Sequence, residues 1–184
     1  MKWELVALDA VAPQAWRNGG GLTRELLAWP TAAAWRLRLS VADVNAAGPF
    51  SPFPGIERWF AVLEGDGVVL RMDGEDLTLT SAEAPLRFDG GRSVDCALRG
   101  GATRDFNLMA PPGRARMWRA RGRHRFDAPE GSLLAAYAHA ASARVQVAGE
   151  ALELPPRHLA WTRLDAPASG ELASEDALWM EATL

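Results

Sequence analysis

The chain has 184 residues, 48% hydrophobic and 23% charged, which is enough to bury a sizeable core and too apolar for a disordered protein. Twenty basic against 23 acidic side chains leave a formal charge of −3, so no basic field draws in nucleic acid or an anionic bilayer, and neither is expected as a partner. A single cysteine, Cys96, can close no intrachain disulfide, and 12 prolines and 17 glycines spread along the sequence argue against a helix bundle.

In chain order, the N-terminal stretch carries Glu4, Asp9 and Pro13 inside what would be the apolar core of a signal peptide, so a cytoplasmic protein is expected. The loop Arg17–Gly21 ends in three consecutive glycines, which permit a close approach to a ligand or a neighbouring strand. It lacks the Gly-Lys-Ser/Thr ending of a phosphate loop and leads into TRELLAW, which reads as strand. WRLRLSVADV (Trp35–Val44) alternates strictly, with Trp35, Leu37, Leu39 and Val41 on one face and Arg36, Arg38, Ser40 and Ala42 on the other.

ERWFAVLE (Glu57–Glu64) is a further strand, and VVLRM ends at Asp73-Gly74, a dipeptide suited to a type I′ hairpin turn before EDLTLTS. Short runs at Leu86–Asp89, Ser93–Leu98, Arg104–Met109, Arg144–Val147, Ala151–Leu154 and His158–Leu164 are each bounded by Gly, Pro or Asp. Arg114–Arg125 (RARMWRARGRHR) is arginine-rich within an acidic chain and is expected to be a solvated connector. Ser132–Ala143 has helical composition in a strand-like setting and is read as strand on position. Asp165–Asp176 is small and polar, the composition of a surface loop. The strand clusters at 33–110 and 117–184 are each long enough for a barrel, so two fused barrels are geometrically allowed.

Trp16–Glu25 (WRNGGGLTRE), WRLRLSVADV, Gly48–Arg58 (GPFSPFPGIER), Leu63–Gly67 (LEGDG) and Arg104–Met109 (RDFNLM) follow one another in an order that resembles the HutD/Ves family of the cupin superfamily. The resemblance is specific over residues 16–109 and general beyond them. It implies an all-β bicupin: an N-terminal arm and first cupin-like barrel over residues 1–116, and a second, smaller barrel over 117–184, with strands open to exchange between them. It also implies a non-catalytic protein that binds a small carboxylate metabolite such as urocanate or formylglutamate, in a regulatory or accessory role in bacterial histidine utilisation. No cofactor is implied, and a homodimer is compatible.

Metal-binding cupins use a His-x-His pair, a Glu and a further His, because imidazoles and a carboxylate suit a divalent transition metal. With Gly65 taken as the glycine closing that motif, Ser51 and Phe53 stand where the histidines would be and Arg58 where the glutamate would be. His124, His139 and His158 have no partner at ligand spacing, so no metal is expected. Arg58 can grip a carboxylate through two parallel hydrogen bonds, or pair with Glu57 or Asp43 as a strand-flanking ion. Arg36 and Ser40 share a face that is either pocket lining or the wet side of a sheet. Thr23 and Glu25 point to one side of their strand, as do Asp105 and Asn107 of theirs; with Asn18 in the glycine loop they are candidate hydrogen-bonding groups inside a barrel, Asp105 in a structural role and Asn107 as a ligand contact. The candidate site is therefore Arg58, Asn18, Thr23, Glu25, Arg36, Ser40 and Asn107. Because no nucleophile elbow or Ser/His/Asp order accompanies them, no catalytic residue is assigned. The alternative is a metal-independent isomerase or hydrolase acting on a small organic acid, with Glu25 or Asp105 as base.

Overall fold

A computed structural model describes residues 1–184. The chain is all-β, with one 3-10 turn at Leu8–Ala10 between β1 (Glu4–Ala7) and β2 (Gln14–Ala15). The strands that follow are β3 (Gly21–Trp29), β4 (Leu37–Val44), β5 (Gly48–Pro49), β6 (Glu57–Glu64), β7 (Val68–Met72), β8 (Glu75–Leu79), β9 (Leu86–Asp89), β10 (Val94–Leu98) and β11 (Thr103–Ala110). After them come β12 (Ala115–Ala128), β13 (Leu133–Ala138), β14 (Ala143–Val147), β15 (Glu150–Leu154), β16 (His158–Arg163) and β17 (Ala168–Ala182).

The chain divides into two compact units, Ala12–Gly113 and a second that joins Met1–Val11 to Arg114–Leu184. The first eleven residues belong with the C-terminal segment because β1 pairs antiparallel along β16, Glu4 opposite Trp161 and Ala7 opposite His158.

In the unit Ala12–Gly113, a six-stranded sheet ordered β2-β3-β4-β11-β6-β9 and a four-stranded sheet ordered β5-β10-β7-β8 share one core. Val44, Phe60, Val62 and Phe88 from the larger sheet meet Val68, Leu70, Met72, Leu79, Val94 and Cys96 from the smaller. The β7–β8 turn is made by Asp73 and Gly74, both at positive φ (51° and 85°), as a type I′ hairpin requires. β4 alternates as its sequence predicts, but neither face is a plain solvent face: Leu37, Leu39 and Val41 are buried on one side, Ser40 and Ala42 on the other. Phe106 and Leu108 of β11 follow the first set, and Asp105 and Asn107 the second. Polar side chains are thereby committed to the interior of the unit.

The second unit is a seven-stranded sheet ordered β1-β16-β13-β17-β14-β15, with β12 paired to β17. Ser132–Ala143 resolves as β13 followed by a turn. Flanked by β16 and β17 and buried at all six positions, β13 carries apolar side chains on both faces, three of them alanine, which is why its composition mimics a helix. Two expectations are corrected here. Asp165–Asp176 is a loop only to residue 167, and from Ala168 it pairs with β12, Ala168 opposite Ala128. The arginine-rich segment is solvated, with Arg116, Arg121, Arg123 and Arg125 exposed, but it is not a connector: it lies almost wholly in β12, where Arg119 and Arg121 pair with Asp176, and Arg123 and Arg125 with Glu171. Two carboxylates on the neighbouring strand, Asp176 and Glu171, answer part of its positive charge.

Candidate functional site

A cavity of about 790 Å³ opens in the unit Ala12–Gly113. One wall is the inward face of the six-stranded sheet: Thr23 from β3, Arg38, Ser40 and Ala42 from β4, Asn107 and Met109 from β11, and Arg58 from β6. The rest of the lining comes from Gln14–Asn18, which begins in the edge strand β2, and from Pro49–Phe53, which begins in β5. Register sets the first wall. Asn107 lies opposite Ser40 on one side and Phe60 on the other, while Met109 lies between Arg38 and Arg58, so the period of two aims these side chains inward together.

The Gln14–Asn18 part of the lining depends on the glycine loop. Gly21 could carry no side chain, because a Cβ there would stand 2.5 Å from the Asp43 carbonyl oxygen and 3.1 Å from the Trp16 ring. That approach lets the Trp16 indole N–H reach the Thr23 hydroxyl at 2.7 Å, with the ring edge-on to Phe50. Asn18 Oδ1 accepts the Gly20 amide at 3.0 Å, which fixes the turn.

Arg58 dominates the electrostatics. It is only 7% exposed, and its guanidinium lies 4.4 Å from the Phe50 ring centre, with Phe88 and Phe60 slightly farther away. Nε and Nη2 both donate to Asn107 Oδ1, at 2.8 and 2.6 Å, and Nη1 has no partner in the protein. No carboxylate lies within 4 Å, so the surface ion pair with Glu57 or Asp43 is absent; Asp43 instead pairs with Arg24 and Arg104. Burial pushes the guanidinium down to about 10, opposed by the nearby Asp105 carboxyl, and it remains a full cation at neutral pH. Asp105 lies beneath, wholly buried; Thr103 Oγ1 donates to its Oδ2 at 2.8 Å while Oδ1 has no partner. Burial pushes this carboxyl up to about 7 and, with Asp105 nearby, the Cys96 thiol up to about 12.

Of the residues singled out from sequence, Arg58, Asn18, Thr23, Ser40 and Asn107 line the cavity. Ser40 is a buried residue whose side chain lines the cavity, and Asn107 presents its carbonyl to Arg58. Two lie elsewhere. Arg36 is exposed just ahead of β4, off the cavity, because the strand begins one residue later. Glu25 accepts Arg38 Nε at 2.6 Å and is not part of the lining. Arg38 and Arg17 are cavity residues that the sequence reading did not nominate. Arg38 could have been found, since it shares the face of Ser40 inside the strand, whereas Arg17 at the rim carries no local signal.

The donor set decides what the cavity can hold. Ser51 and Phe53 line it beside Arg58, and no three His, Cys, Asp or Glu side chains converge. A guanidinium, an amide and hydroxyls do not fit a divalent cation; they fit an anion.

Fold and site together define a cupin-like β protein whose cavity carries a buried arginine with no carboxylate in contact. The chain belongs to the HutD family, whose model matches residues 9–182. An uncharacterised 21.2 kDa protein from the hutC 3′ region of Pseudomonas putida is 41% identical over 103 residues, 55% of this chain and 54% of that one. Protein Ves of Citrobacter koseri is 36% identical over 96 residues, 51% of this chain and 50% of the other. The alignments with these curated relatives span about half of their length. Among solved structures, HutD from Pseudomonas fluorescens SBW25, determined in a formate condition, matches with a TM-score of 0.84 and 30% identity, covering 99% of this chain and 98% of that one. A cupin 2 conserved barrel domain protein from Leptotrichia buccalis, 7% identical, matches at 0.61 over 98% of this chain and 96% of its own, which shows the fold alone.

Proposed function

We propose that this protein is a bicupin whose first barrel binds a small carboxylate metabolite, urocanate or formylglutamate, without transforming it, in a regulatory or accessory role in cytoplasmic histidine utilisation. The observation that carries the reading is Arg58: buried, cationic, held by a neutral amide and lining a cavity with no carboxylate to neutralise it. A buried charge left in that condition is costly unless a ligand completes it. Ser40, Thr23 and Asn18 supply hydroxyl and amide groups for the rest of such a molecule. The hutC-region relative and the HutD neighbour support the pathway, and the formate condition of the latter is in keeping with a carboxylate.

The enzymatic alternative has weaker support. Glu25 is engaged by Arg38 and lies outside the cavity lining, and Asp105 is sealed from it, so neither can reach a substrate proton here.

Calorimetry against a panel of histidine-pathway acids tests the reading. Wild type binds at least one, Arg58→Ala weakens it at least about tenfold, equivalent to about 1.4 kcal/mol, and Arg58→Lys recovers only part, since lysine lacks the planar fork. Binding to none of the acids, or equal binding by Arg58→Ala, defeats it.

A further inference from the structure

We propose that the cavity takes up its anion together with a proton, and that Asp105 is the group that receives it. The inference rests on the carboxylate reading above and couples that site to a proton on a carboxyl buried behind it, outside the cavity lining.

The geometry is that of two buried charges sharing one compensation. Asp105 and Asn107 project from the same face of β11 two residues apart, and Asn107 is the residue that holds Arg58. Asp105 is completely buried, with one oxygen satisfied by Thr103 and the other orphaned. The groups that face it can be named from each packed strand. Arg58 from β6 is the one cation acting on it; Cys96 from β10 remains a neutral thiol; and Asp43 from β4, which opposes its ionisation, is paired with Arg24 and Arg104. Arg38, also from β4, acts on Arg58 and is paired with Glu25. The ionised form of Asp105 thus leans on the charge of Arg58 and on one hydroxyl.

A ligand carboxylate on Arg58 neutralises that charge. Asp105 then faces a neutral pair in a dry setting, and an orphaned carboxylate oxygen there is best satisfied by a proton from solvent, which goes to Oδ1. Burial already holds this carboxyl up at about 7 in the free protein, so the proton is taken up near and above neutral pH. By linkage the sign is fixed: if binding raises the affinity for a proton, protons raise the affinity for the anion.

The test is calorimetry with formylglutamate, whose carboxylates stay ionised above pH 6, in buffers of differing ionisation enthalpy between pH 7 and 9. Wild type should take up a substantial fraction of a proton per anion bound at pH 8, with affinity falling severalfold or more from pH 7 to 9. Asp105→Asn, which keeps the shape and the Thr103 hydrogen bond, should bind with no uptake and no such fall. Binding without proton uptake in wild type overturns the inference and leaves the carboxylate site standing, as does uptake that survives in Asp105→Asn. Failure to bind any pathway acid, formylglutamate included, at any pH removes both together.

Discussion

Arg58 directs two N–H groups, Nε at 2.8 Å and Nη2 at 2.6 Å, to the single Oδ1 of Asn107 on the adjacent strand. The amide satisfies part of the guanidinium without cancelling its charge. An aspartate in the same place would satisfy it equally and neutralise it. Asn107→Asp is therefore expected to fold normally and to lose anion affinity by roughly tenfold or more, about 1.4 kcal/mol, because an internal ion pair replaces the ligand. Calorimetry beside Arg58→Ala checks this, and undiminished affinity in Asn107→Asp would show that the charge of Arg58 is not what binds.

The same arrangement has a cost in stability. Arg58 lies among Phe50, Phe60 and Phe88 with no counter-ion in contact, and apolar residues of similar volume often stabilise where they replace a buried charge, by about 1–4 kcal/mol. Arg58→Met should raise the denaturant midpoint while abolishing binding. A lowered midpoint would mean that the guanidinium serves the fold instead.

Asp105 gives the stability a pH dependence of fixed sign. Its folded value, about 7, lies above the unfolded carboxylate value, so its contribution is fully present below about pH 4 and is lost as the pH rises to about 7. Relative to wild type, Asp105→Asn should gain stability progressively across that window, by roughly 2–4 kcal/mol. Urea titrations at pH 4, 5.5, 7 and 8 read the difference, and a flat difference across the series would contradict it.

Much of the fold is legible in local sequence, and the exceptions have a common cause. The alternation of WRLRLSVADV and the Asp73-Gly74 turn specify β4 and the β7–β8 hairpin through neighbours alone. β17 and β12 were not readable in the same way. Ala168–Asp176 is a strand because it pairs along β12, a partner some 50 positions away, and there Glu171 meets Arg123 and Arg125 while Asp176 meets Arg119 and Arg121. In the site, five of the seven nominated residues line the cavity because period-two alternation and the glycine loop were visible. Arg36 was misplaced by a strand starting one residue late, and Glu25 by an ion pair to Arg38 that sequence does not announce.

Gly21 is the position where the loop and the cavity wall depend on one another. Gly21→Ala would drive a methyl against the Asp43 carbonyl oxygen and the Trp16 ring, costing about 1–3 kcal/mol and displacing the indole from Thr23. Thermal unfolding gives the first effect and tryptophan fluorescence the second. Unchanged stability would mean that the strands part easily at this point.

The reading of Arg58 as an anion receptor completed by a ligand carboxylate stands or falls on what occupies the cavity. A crystal structure of the protein soaked with formylglutamate or urocanate tests it most directly. A carboxylate is expected within about 2.7–2.9 Å of the Arg58 guanidinium, with Asn107 still accepting from Nε. A ligand seated with its carboxylate away from Arg58, or a cavity that stays empty at saturating concentration, would contradict it.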